Sequence, residues 1–162
     1  MTRRRRGRVP GRGRLIDRLW IPGREGLKQF VGAANGAYDV KFVRGDLFNG
    51  KYIWRVPVTV PVYDTEITLR IELERFGVEV LAEDWAGPMK HTFGSQRLCM
   101  WYPHDPDDRK WRIEDGLLKL LDTAVMHLFM ELYFRETGDW PGKEAPHEVP
   151  KVDGRASAGR AA

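Results

Sequence analysis

Cys99 is the only cysteine in the 162-residue chain. A lone thiol has no internal disulfide partner, so it is either small buried filler or a nucleophile. Its setting is His91-Thr92-Phe93-Gly94-Ser95-Gln96-Arg97-Leu98-Cys99-Met100-Trp101-Tyr102-Pro103. The thiol follows a polar turn with an imidazole and precedes an aromatic-proline loop, which suits a reacting sulfur. Free cysteine is only about a few per cent ionised at neutral pH, and a nearby cation raises that share. Arg97 lies two residues before Cys99, and on a strand that spacing puts both side chains on one face. His104 follows, past Pro103, and can fold back toward the sulfur.

The other polar groups near the thiol suggest further chemistry. In His104-Asp105-Pro106-Asp107-Asp108 an imidazole or carboxylate can take a proton from an incoming amine. The same residues are also ordinary turn formers. Backbone N–H groups across residues 95–99 are candidates to hold an oxyanion. His127 sits at the border of an apolar helical stripe and reads as a half-buried core histidine. His147, after Ala145-Pro146, either returns to the thiol or ties down the C-terminal segment. One cysteine and four scattered histidines make no metal-binding spacing. There is no Gly-x-Gly-x-x-Gly and no P-loop, so no metal and no cofactor is expected.

Several elements must position these groups. Residues 15–20 and 25–34 are short apolar-periodic stretches closed by Pro22-Gly23 and Asn35-Gly36, read as short helices. Strand candidates follow at 40–43, 52–62, 68–73 and 78–81, the third alternating cleanly between apolar and polar. Pro57 and Pro61 fall inside the second, and proline cannot donate to a ladder, so an edge or a bulge is expected there. Closely spaced strands favour an antiparallel meander. From Asp115 a long helix is predicted, with Leu117, Leu121, Ala124, Leu128 and Leu132 on one stripe, Leu118, Val125 and Phe129 widening it, and Gly138 ending it. The aromatics Trp20, Trp101, Tyr102, Trp111 and Trp140 read as gap-fillers between helix and sheet. The expected architecture is α+β, a four-stranded antiparallel meander with helices on one face.

Charge is distributed unevenly. The net charge is +4, yet seven arginines stand among the first fourteen residues, so the remainder carries 4 − 7 = −3. Residues 1–14 are expected to be a disordered Arg-rich tail, 15–150 the folded domain, and 151–162 a loose polar tail. The basic tail is read as a solubilising extension before a nucleic-acid-binding arm. A nucleic-acid binder would be basic across its fold. No apolar run is long enough to span a bilayer, and one cysteine without an export pattern suggests the cytoplasm.

Two stretches carry a resemblance to a known family. One is His91…Leu98-Cys99-Met100-Trp101-Tyr102-Pro103-His104-Asp105-Pro106, ending near Trp111. The other is His127-Leu128-Phe129 with Glu131, then Phe134-Arg135-Glu136-Thr137-Gly138-Asp139-Trp140-Pro141-Gly142-Lys143-Glu144-Ala145-Pro146-His147. Together with the order of elements they resemble the ubiquitin-conjugating (UBC-like) fold, in particular the conjugating-enzyme-like proteins of bacterial type II CBASS antiphage operons. The resemblance implies that Cys99 takes the C-terminus of a partner protein as a thioester and passes it to an amine. It implies a cGAS/DncV-like nucleotidyltransferase or a ubiquitin-like protein as partner, with the activating step supplied by a separate enzyme or dispensed with. It gives His91 the task of holding the loop before the cysteine through backbone hydrogen bonds. Eukaryotic conjugating enzymes carry His-Pro-Asn before the cysteine; this chain has His91-Thr92-Phe93, without that Asn. The remaining alternatives are an idle UBC-like scaffold that binds the nucleotidyltransferase, and a nucleic-acid binder acting through the arginine tail.

Overall fold

Alternation of apolar and polar residues builds most of this molecule, because it gives each strand one face to bury. The computed structural model describes residues 24–46, 50–74, 77–94, 96–101 and 105–142. The tails at 1–14 and 151–162 and the helix expected at 15–20 lie outside them, as do His104 and His147.

Helix α1 (Arg24–Asn35) is followed by strands β1 (Lys41–Asp46), β2 (Lys51–Val60), β3 (Thr65–Glu74) and β4 (Gly77–Ala82). A small hairpin comes next, β5 (Thr92–Phe93) and β6 (Arg97–Leu98). Two 3-10 turns, Asp107–Arg109 and Ile113–Asp115, lead into the long helix α2 (Gly116–Thr137). The sheet is antiparallel, in the order β1-β2-β3-β4-β6-β5. The α+β layout is as expected. The strand count is not: the sheet has six strands rather than four. The two extra strands are two residues each, too short to show a period of two.

The prolines of β2 illustrate how the sheet accommodates them. Residues 51–55 pair with β1, so β2 is interior there, but Pro57 lies beyond that pairing. Pro57 stands opposite Thr68, whose N–H goes to Asp84 and whose carbonyl accepts from Glu83. Thr68 thus turns its polar groups away from β2, and alternation turns the Pro57 nitrogen away from β3. The proline occupies a place where a strand needs no donor. Pro61 falls in the turn between β2 and β3. The bulge is found instead in β1, between Phe42 and Arg44.

One core joins the inner sheet face to both helices. Trp54, Val56, Val60, Leu69, Ile71 and Val80 from the strands meet Leu117, Leu120, Leu121, Ala124 and Leu128 from α2. Phe30 seats α1, its ring centroid 5.6 Å from that of Trp54 and 6.3 Å from that of Trp111. The outer sheet face carries paired charges: Lys51 with Glu72 and Glu74, and Arg55 with Glu83. The α2 stripe runs as the spacing predicts, with Leu120 joining it, and Gly138 closes the helix in the left-handed region at φ 80°.

Leu120 has no exposed surface. Leu120→Ala should lower the unfolding free energy by about 2–5 kcal/mol, read as a lower urea midpoint at unchanged slope. A negligible change would mean that α2 is not packed on the sheet.

Candidate functional site

Between β4 and β5 the chain is irregular, and main-chain polar groups there need partners from outside it. Helix α2 supplies the partners from three residues spaced four apart, His127, Glu131 and Arg135, which share one face. Arg135 donates from Nη2 to the carbonyls of Ala86 (2.8 Å) and Pro88 (3.2 Å), and its guanidinium lies 4.6 Å from the Trp85 ring. Glu131 accepts the next two amides, Lys90 N–H at 2.7 Å and His91 N–H at 2.6 Å. The His127 Nε2 lies 3.0 Å from the His91 carbonyl oxygen. A carbonyl only accepts, so this nitrogen carries the proton.

The same His91 carbonyl accepts the Cys99 N–H at 3.0 Å. His91 is therefore joined through its main chain both to α2 and to the thiol-bearing strand. The β5–β6 pairing (Thr92 with Leu98, Phe93 with Arg97) brings the two ends of the hairpin together. Cys99 is the first residue past β6, half-buried, with its sulfur 4.0 Å from the Trp101 carbonyl oxygen.

Trp140 covers this arrangement. The left-handed Gly138 and the Thr137 hydroxyl, which accepts the Asp139 N–H, turn the chain back after α2. The indole then lies 4.1 Å from the His91 ring and 5.8 Å from the His127 ring. This gives the Thr137–Trp140 segment a physical link to the cysteine loop.

Two electrostatic consequences follow. Glu131 is 2% exposed. Burial works against its charge, but the His127 imidazole and the two amides outweigh it and hold the carboxyl below its usual range. At 3.6 Å the His127–Glu131 separation makes that imidazole an electrostatic neighbour more than a hydrogen-bond partner. The Cys99 thiol moves the other way: burial raises its pKa, and Arg97 only partly offsets this. Arg97 sits on the expected face, but its guanidinium pairs with Glu79. The cation expected to favour the thiolate is largely spent on that partner.

The Cys99 N–H was a candidate oxyanion donor, and the His91 carbonyl already takes it. Ser95 and His104 fall outside the described residues. His127 is more deeply buried than a border position suggests, at 6% exposed. Glu131 entered the sequence reading only as part of the resemblance, with no role of its own. Its signal was a charged residue in register with the apolar positions 117, 121, 124 and 128.

Met100, the residue after the thiol, lines two hollows. One, of about 220 Å³, is bounded by Val78, Val80, Leu98 and Trp101 with Glu79, Phe93 and Arg97. The other, of about 350 Å³, runs along α2 past Lys119, Asp122, Met126 and Met130. Tyr38 fixes Asp122 there through a 2.8 Å hydrogen bond, and its own pKa is raised to about 12 by burial and by that carboxylate. No metal-binding group of three or more His, Cys, Asp or Glu occurs among the described residues, and no helix there is long and apolar enough to cross a membrane. No protein-family model matches the chain, and no curated protein matches it.

Two pH responses follow. Because the thiol pKa is raised, iodoacetamide labelling of Cys99 should climb roughly tenfold per pH unit across neutral pH and level off only above the ordinary thiol range. A plateau near neutrality would contradict the burial argument. Glu131 has a depressed pKa, so its contribution to stability is complete above the unfolded value of about 4.3 and is lost as pH falls through the folded value. Urea unfolding below about pH 4 should therefore weaken wild type more steeply than Glu131→Gln.

Proposed function

We propose that this chain is a UBC-like acyl carrier that works through Cys99. The supporting observation is the placement of its single thiol: half-buried, just past a short hairpin, on backbone tied through His91 to the long helix, with the next residue, Met100, lining two hollows. Such a sulfur is held through its backbone and is not fully buried. The substrate is the C-terminus of another polypeptide, already activated as an acyl adenylate or a thioester by a separate enzyme.

In the first step the Cys99 thiolate attacks the activated carbonyl. A C–S bond forms, and the bond to the leaving phosphate oxygen or thiol sulfur breaks, with its electron pair departing on that atom. The proton released from Cys99 goes to solvent. In the second step a neutral amine attacks the thioester, the C–S bond breaks, and the sulfur leaves as thiolate. The amine proton passes to a base; Asp122, exposed along the larger hollow, and His104 are the candidates. The raised thiol pKa makes the first step slow unless the donor is well activated. The partner that fits the family resemblance is a cGAS/DncV-like nucleotidyltransferase or a ubiquitin-like protein, acting in cytoplasmic antiphage defence.

A catalytically idle scaffold is the second reading. It draws support from the thiol's resistance to ionisation and from the engagement of the Cys99 N–H with His91.

Incubation with a peptide carrying a C-terminal alkyl thioester distinguishes them. Wild type should gain the peptide's mass and lose it again with excess small thiol, which takes the acyl group and releases the Cys99 thiolate. Cys99→Ala should gain nothing, and Cys99→Ser should give at most an ester stable to added thiol. If wild type gains no mass while Cys99→Ala still binds the nucleotidyltransferase as tightly as wild type, the scaffold reading stands.

A further inference from the structure

We propose that Glu131 is the positioning residue of the Cys99 thiol. The inference rests on the acyl-carrier reading for its meaning in transfer, and on geometry for the control of the sulfur. A carboxylate that is 2% exposed is costly to bury, and α2 has apolar residues at the neighbouring positions of the same stripe. Its two oxygens take two consecutive amides, so Lys90 N–H and His91 N–H must point the same way into the helix.

Successive amides aimed together fix the orientation of the peptide planes, and the His91 carbonyl is directed accordingly. That oxygen accepts from His127 Nε2 and from Cys99 N–H, each at 3.0 Å, which fills both of its lone-pair sites. The Cys99 backbone is thus one hydrogen bond from His91, and His91 is one hydrogen bond from Glu131. Glu131 touches neither the sulfur nor a substrate; it acts through the loop.

The titratable and charged groups around Glu131 are His127 on its own helix, Lys90 and His91 on the loop, and Arg135 one turn further on. The Lys90 ammonium is directed over the Phe134 ring at 4.3 Å. Trp140 lies across the His91 and His127 rings and limits water at the anchor.

Glu131→Gln keeps the shape but replaces one acceptor oxygen with an NH2 group. One of the two loop amides then faces a donor and is orphaned, which should free the loop by roughly tenfold. The measurement is iodoacetamide labelling of Cys99 in the full chain, followed by intact mass from mildly acidic to alkaline pH. Glu131→Gln should label roughly tenfold faster below the thiol pKa, with its pH midpoint shifted down as the sulfur gains solvent. Leu120→Ala, destabilised on the same helix about two turns before His127 and outside the hydrogen-bonded anchor, should melt earlier and yet keep the wild-type labelling profile under native conditions.

If the Glu131→Gln profile superimposes on wild type, or Leu120→Ala moves it as much, the inference is overturned. If Glu131→Gln does not fold, His127→Phe takes its place: it keeps ring volume and removes the donor to the His91 carbonyl, and it should shift the profile the same way. Peptide-thioester exchange run in parallel separates the two ideas. An absent adduct with a shifted labelling profile sinks the carrier and keeps the positioning role; a normal adduct with an unshifted profile does the reverse.

Discussion

The segment that carries His91 into the thiol hairpin cannot satisfy its own backbone, and the rest of the site depends on how that demand is met. Main-chain N–H and C=O groups shielded from water need partners. Here they come from one face of α2. Arg135 takes carbonyls at Ala86 and Pro88, Glu131 takes amides at Lys90 and His91, and His127 reaches the His91 carbonyl. Each partner sits one helical turn from the last, so a rigid helix sets the spacing of an irregular chain. The hydrophobic stripe on the same helix holds it against the sheet. The thiol's position therefore inherits the rigidity of the core.

That arrangement places opposing demands on Cys99. Tying its N–H to His91 and half-burying its sulfur makes the geometry definite, and the same burial keeps the thiol protonated. Arg97 is placed to relieve this, but Glu79 competes for it. A sulfur kept protonated by burial is a slow nucleophile near neutral pH. Two hollows near it share Met100 as a lining residue.

The unusual local features obey the same accounting. Pro57 is tolerated in a long strand because its nitrogen faces a stretch that β1 does not reach. The paired charges on the outer sheet face keep it wet, and the helices pack on the other side. Trp140, which a composition-based reading assigns to gap-filling, covers the polar anchor and joins the chain beyond α2 to His91.

Periodicity alone made the four long strands, α1 and α2 legible, because burial of one face imposes a repeat of two or of 3.6 residues. The isolated cysteine, its neighbouring Arg97 and the Gly138 stop were readable for similar local reasons. The β5–β6 hairpin was not, since two residues make no repeat. The role of Glu131 was hidden because a glutamate on a helix is ordinarily solvated, and only the folded chain brings the Lys90 and His91 amides to it from about forty positions away. The ionisation of Cys99 was likewise beyond reach of sequence: Arg97 and the sulfur share a face in any strand, but burial and the claim of Glu79 on that arginine arise only when distant strands meet. Local pattern determined which segments fold and which atom is reactive in kind; tertiary packing decided how that atom is held and charged, because hydrogen bonding and desolvation depend on neighbours in space.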